Sequence, residues 1–167
     1  MPTPPPLVII VMGSKSDWET MSHASSTLDT LGVPHDVRVL SAHRTPEELE
    51  RFLAESQARG AQVVIAGAGG AAHLAGVCAA KTTLPVLGIP MKTELAGGLD
   101  SLLSTVQMPA GIPVATFATG RAGAVNAAIF ATMILGRSRR DYQEAVEAHR
   151  KAAAEKVLAE GDPRVRS

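Results

Sequence analysis

Apolar residues fall in short runs separated by longer amphipathic or polar stretches. Leu7 to Met12 is a continuous run rich in β-branched residues, the pattern of a strand covered on both faces. His35 to Leu40, Gln62 to Ala66, Pro85 to Ile89 and Ile112 to Phe117 predict four further strands. The run Val37-Arg38-Val39-Leu40 reads as buried. After a turn at Gly13 to Ser16 a helix extends to about Leu31, with Trp18, Met21, Leu28 and Leu31 on its apolar side and Gly32-Val33-Pro34 stopping it. Thr45-Pro46-Glu47-Glu48 opens the next helix: Thr45 suits the cap, Pro46 the first helical position, and Glu48 sits three residues past the cap. That helix ends near Arg59 at Gly60. Shorter helices are expected over Ala71 to Ala80 and Leu99 to Val106, and longer ones over Gly123 to Leu135 and Arg139 to Leu158.

Five strands alternating with helices predict an α/β fold, a three-layer doubly wound parallel sheet with strand order 2-1-3-4-5. No internal repeat is evident. Residues 1–6 read as a disordered tail, 7–158 as a single domain, and 159–167 as a second tail. The helix at 139–158 lies outside the five-strand unit. Its stripe of Tyr142, Val146, His149, Ala153 and Val157 is expected to pack on a neighbouring subunit, the alternative being its own domain.

Bulk composition narrows the classes. Of 167 residues, 46% are hydrophobic and 19% charged, enough for one ordinary core. Formal net charge is zero, which argues against a nucleic-acid binder. The basic run Arg137, Arg139, Arg140 is followed by Asp141, Glu144 and Glu147 and reads as a solvated helix start. A lone cysteine, Cys78, allows no intrachain disulfide and fits a reducing, cytoplasmic setting; it reads as a packed thiol. No secretory signal or membrane span is expected. Only 3% of residues are aromatic, so subunit association is one way to bury more surface.

Chemistry concentrates where strands end. In an open parallel sheet the ligand crevice lies outside the carboxyl ends of the strands, and three polar turns occupy such places. Ser41-Ala42-His43-Arg44 follows the second strand. A histidine titrates near neutrality in its unperturbed state, pKa ~6.5, and suits general acid–base work. Arg44 offers a planar fork for phosphate or carboxylate. Gly13-Ser14-Lys15-Ser16-Asp17 joins the first strand to a helix N-terminus, where free amides favour phosphate. Ser14 and Ser16 add hydroxyls. Asp17 would repel phosphate but can accept from a ribose diol, so the turn suggests a ribonucleotide; capping by Ser16 or Asp17 is the alternative. It is no P-loop, because G-x-x-x-x-G-K-[ST] is absent. Gly67-Ala68-Gly69-Gly70-Ala71-Ala72-His73 follows the third strand and lets backbone approach a ligand closely. Its partial G-x-G-x-x-A match lies after the wrong strand for nicotinamide binding. His73 reads either as a second polar group of the site or as a helix start. His23, His35 and His149 read as surface or structural, and no cluster has metal-ligand spacing.

Together these segments resemble the N5-carboxyaminoimidazole ribonucleotide mutases of purine biosynthesis. The carriers are Met12 to Trp18, Ser41 to Pro46, Ala66 to Leu74, and Gln107-Met108-Pro109 with Gly111-Ile112-Pro113. The resemblance implies a homo-octamer of flavodoxin-like subunits clasped by C-terminal helices, with active sites at subunit junctions. It implies a small ribonucleotide as substrate, and no metal, biotin, ATP or other cofactor. It further implies that Ser14, Asp17 and Arg44 bind the nucleotide, helped by Ser16 and Ser41, and that His43 is the acid/base. Gly69, Gly70, His73 and Leu74 would surround the ring and the migrating carboxylate. Ala75 stands where the family usually has proline, Ala115 where glycine is common, and Met91-Lys92-Thr93-Glu94 is atypical. A related carboxylase branch, acting with free CO2, usually carries lysine in place of Arg44 and lacks the glycine-rich turn. Flavin binding is disfavoured by the few aromatics. A phospho-acceptor domain is disfavoured by Ala66-Gly67, where it would need aspartate.

Overall fold

The structure is a computed structural model that describes residues 5–162 and 164. Most of the expected first tail and much of the second, residues 1–4, 163 and 165–167, lie outside the described residues. Five parallel strands, β1 (Val8–Met12), β2 (His35–Val39), β3 (Val63–Ala68), β4 (Val86–Pro90) and β5 (Ala115–Thr116), pair in the order β2-β1-β3-β4-β5. Six α-helices flank them: α1 (Trp18–Thr30), α2 (Pro46–Ala58), α3 (Leu74–Lys81), α4 (Leu99–Val106), α5 (Arg121–Leu135) and α6 (Arg140–Glu160).

Right-handed crossovers determine which helix covers which face. From β1 the chain moves outward to β2, then returns past β1 to β3 and continues outward the other way. The reversal puts α1 on one face and α2, α3 and α4 on the opposite one. One core layer joins Val8, Ile10 and Met12 to Met21, Leu28, Ala124, Ala127 and Leu135 of α1 and α5. The other joins Ile9 and Val11 to Leu49 and Leu53 of α2 and to Leu74 and Cys78 of α3. A Cβ on Gly88 would stand 2.7 Å from Thr105 Cγ2 and 3.3 Å from Ala75 Cβ, so α4 and α3 close directly on β4 there.

Several expectations are corrected. The Val37-Arg38-Val39-Leu40 segment is not buried: β2 is an edge strand and Val39 is 51% exposed. β5 shrinks to Ala115–Thr116, because Pro113 has no N–H for the ladder and Gly111 turns the chain at φ 98°. Thr45 makes no side-chain cap, and Glu48 pairs with Arg51 instead. α3 starts at Leu74 rather than Ala71, and the 91–98 loop contains a short 3-10 turn at Leu95–Gly97. The α6 stripe divides. Tyr142 and Val146 are buried against their own domain, beside α5, whereas Ala153 and Val157 are exposed. α6 runs to Glu160, two residues into the expected tail. No helix among the described residues is long and apolar enough to cross a membrane.

Candidate functional site

The direction of the chain reverses between β1 and β3, and a crevice opens at their carboxyl ends. A cavity of about 520 Å³ lies there, lined by Gly13, Ser14, Ser16 and Asp17 after β1 and by Ser41 to Arg44 after β2. Ala68, Gly69, Ala71 and Leu74 line it after β3, and Met91, Lys92 and Thr93 after β4. Its size suits a small organic ligand. Eight of the ten residues singled out in the sequence, all but Gly70 and His73, line this one space.

Ser41 builds the turn that presents His43 and Arg44. Its N–H donates to Thr45 Oγ1 at 2.9 Å, and Thr45 N–H returns to Ser41 O at 3.0 Å. The Ser41 hydroxyl accepts from His43 N–H at 3.4 Å and from Arg44 N–H at 3.2 Å. It is therefore largely committed to its own turn. Arg44 reaches across to β1: Nη2 donates to Gly13 O at 2.9 Å and Nε to Ser41 Oγ at 3.3 Å. A guanidinium has five N–H donors, so donors remain for an anion while the side chain is held from two sides.

The turn after β1 differs from an open amide cradle. Ser14 N–H donates to Asp17 Oδ2 at 3.0 Å, and Ser14 Oγ accepts from Ser16 N–H at 3.3 Å and from the Ser16 hydroxyl at 2.8 Å. This is a capping box. Two amides expected to face phosphate are thus occupied; the cap is Ser14 rather than Ser16, with one oxygen of Asp17 as its reciprocal partner, and Asp17 makes no side-chain cap on α1. The other carboxylate oxygen takes no side-chain hydrogen bond among the described residues. Burial pushes the Asp17 carboxyl above its ordinary range, opposed by the Ser14 and Gly13 amides.

The glycine-rich turn is also partly occupied. Gly70, at φ 68°, donates its N–H to Ser101 Oγ at 3.0 Å. Ala72 N–H donates to Ser104 Oγ at 3.0 Å. Ser101 is fully buried, so α4 clamps the turn from behind. Neither serine was singled out in the sequence; each faces a loop thirty-one or more residues away. Met91, Lys92 and Thr93 were also missed as lining residues, although they follow β4 at the same end of the sheet, and that position was a usable signal. Lys92 gives the cavity a second cation beside Arg44. Its aliphatic stem lies over Gly120, where a Cβ would come within 3.2 Å of Lys92 Cε.

His73 is exposed and is bonded to His43: His43 Nε2 and His73 Nδ1 are 3.0 Å apart, with the rings nearly perpendicular at 84°. The other histidine expectations agree with the structure for His35, which bonds Ser25 Oγ at 2.7 Å and Val33 O at 3.0 Å. Cys78 is fully buried, and burial pushes its thiol up to about 12, as suits a packed and inert group.

Fold and site define a doubly wound α/β protein with a pocket at its switch point, lined by Arg44, Lys92, Asp17 and His43. Comparison with known proteins gives the family: the model described as AIR carboxylase matches residues 7–156, and the chain belongs to that family. It is 57% identical over 158 residues to an N5-carboxyaminoimidazole ribonucleotide mutase of Pseudomonas aeruginosa, covering 95% of this chain and 97% of that one. A Bacillus subtilis protein of the same name is 52% identical, covering 94% and 97%. The crystal structure of Treponema denticola PurE superposes with a TM-score of 0.86 at 28% identity, covering 96% of this chain and 99% of that one.

Proposed function

We propose that this chain is an N5-carboxyaminoimidazole ribonucleotide mutase, an isomerase that moves the carboxylate from the exocyclic nitrogen to ring carbon C4 in purine biosynthesis. The observation that carries this reading is the full-length match to relatives of that name. The pocket supports it chemically. Ser14, Asp17 and Arg44 bind the nucleotide, with Ser16 beside them and Ser41 holding Arg44 in place. Gly69 and Leu74 form the wall around the ring and the carboxylate, with Gly70 and His73 on the same turn just outside the lining.

The reaction runs by release and recapture of CO2. His43, as imidazolium, protonates the carbamate nitrogen. The C–N bond breaks, its electron pair stays on nitrogen, and CO2 leaves. C4 of the electron-rich ring then attacks the CO2 held beside it, a gain from proximity. Neutral His43 takes the C4 proton and is restored as imidazolium, so protons balance over the cycle. The test is turnover of freshly made substrate without ATP, metal or added bicarbonate, following the C4-carboxylated product. Product formed only from aminoimidazole ribonucleotide with high bicarbonate would favour the carboxylase reading that the family description keeps open.

Arg44→Lys is expected to raise KM for the nucleotide by about tenfold or more, because a point charge replaces a held planar fork. Steady-state kinetics checks this; an unchanged KM would remove Arg44 from the binding set.

The working assembly in this reading is a cytoplasmic homo-octamer. Leu99, Leu103 and Val106 leave an exposed apolar stripe along α4, Leu95 is exposed in the 3-10 turn before it, and Val157 and Leu158 are exposed at the end of α6, surfaces that association would cover. Light scattering is expected to give eight subunits for the full chain and fewer for a chain ending before Arg139. An intact octamer after that truncation would refute the clasp.

A further inference from the structure

The bond between His43 and His73 carries more than a wall contact. We propose that His73 is a positioning residue that holds His43 through Nε2–H, making Nδ1 the working nitrogen of His43. The inference rests on the reading above and deepens it.

An N···N hydrogen bond at 3.0 Å needs one ring to give a proton and the other to offer a lone pair. The chemistry decides which. A neutral imidazole that protonated the carbamate would become an anion, so His43 must start as imidazolium. Both its nitrogens are then donors. Nε2–H donates, and His73 Nδ1 accepts. His73 is therefore neutral with its own proton on Nε2. His43 Nδ1 has no hydrogen-bond partner among the described residues and is the nitrogen left to react.

This arrangement serves both proton transfers. Before reaction, the charged ring makes a charge-assisted bond to His73, stronger than a neutral one. After Nδ1–H has gone to the carbamate nitrogen, Nε2–H stays anchored and Nδ1 presents a lone pair in an unchanged orientation. That lone pair takes the C4 proton. No ring flip or tautomer exchange is needed between steps. Two imidazolium rings could not hold the contact, because both would be donors, so the pair accommodates one extra proton only. The other ionisable groups around the same cavity are Asp17, Arg44 and Lys92.

The test compares His73→Leu, which removes the acceptor, with His73→Gln, which keeps an acceptor oxygen. Two readouts are taken. For turnover, the Leu variant is expected to lose about tenfold or more in kcat, with KM little changed. The alkaline fall of kcat should begin at lower pH, because the imidazolium has lost its partner. Glutamine should restore most of both. For the second readout, carbethoxylation of His43 by diethyl pyrocarbonate is followed by peptide mass spectrometry against pH. Only the neutral ring reacts, so the midpoint of the rate should move to lower pH in the Leu variant and back in the Gln variant. An unmoved midpoint, an unchanged kcat, a rise in KM alone, or a Gln variant as impaired as the Leu variant would each overturn the proposal. Wild-type protein without mutase turnover would instead overturn the functional reading, and the carbethoxylation midpoint would still report on the pair.

Discussion

His43→Asn is expected to lower turnover by about 10²–10⁴-fold while nucleotide binding survives, the range that general acid–base catalysis contributes. The asparagine side chain is close in size to the front of the imidazole, so the Ser41 turn and the Arg44 contacts to Gly13 O and Ser41 Oγ need not change. The amide cannot give a proton to the carbamate nitrogen, and it cannot take one from C4. Both halves of the reaction therefore fail together, and the loss belongs in kcat. Single-turnover product formation, with nucleotide affinity from equilibrium titration, checks both parts. Full turnover with intact binding would end the assignment of His43. Lost turnover with lost binding would make it a binding residue instead.

Gly123→Ala should destabilise the protein strongly, although the same change in a free helix interior stabilises by about 1 kcal/mol. A Cβ at Gly123 would lie 1.7 Å from Ala118 O and 2.8 Å from Ala118 C. Those are backbone atoms and cannot rotate away. The first turn of α5 is pressed against the segment that leads from β5, and Gly120 at the same corner donates its N–H to Pro90 O at 2.9 Å. Relief of the clash must therefore move the 118–120 corner, on which the Lys92 stem rests. Overpacking of this kind costs about 3 kcal/mol or more. For a chain of this length, that lowers the thermal midpoint by roughly 6–12 °C. Circular dichroism melts at matched protein concentration measure it; a midpoint at or above the parent's would show that the corner yields cheaply.

Much of the site was legible because it is written in short segments. Ser41 to Arg44 and Gly13 to Asp17 each combine a strand end, a turn and polar residues within five positions, and the crevice rule assigns them to one end of the sheet. What stayed hidden was contact over long separations. Ser101 and Ser104 read as ordinary helix positions, yet they hold Gly70 and Ala72. Ser14 and Asp17 read as ligands, and the structure spends part of their capacity on the turn itself. The exposed face of β2 was misread for a related reason. Alternation of residue types does not say how many neighbours a strand has, and β2 has only β1.

The sequence by itself determined the alternation of strands and helices, the doubly wound order, and the end of the sheet where the chemistry gathers. Those follow from local periodicity, turn residues and the handedness of crossovers, which act over a few residues or by a general rule. Only the tertiary structure decided that His43 meets His73, thirty residues away, that Lys92 joins the cavity, and that α6 buries Tyr142 and Val146 from its first half and leaves its end exposed. Each of these depends on where two distant segments come to rest against each other. Packing sets that distance to within an ångström, and no local pattern encodes it.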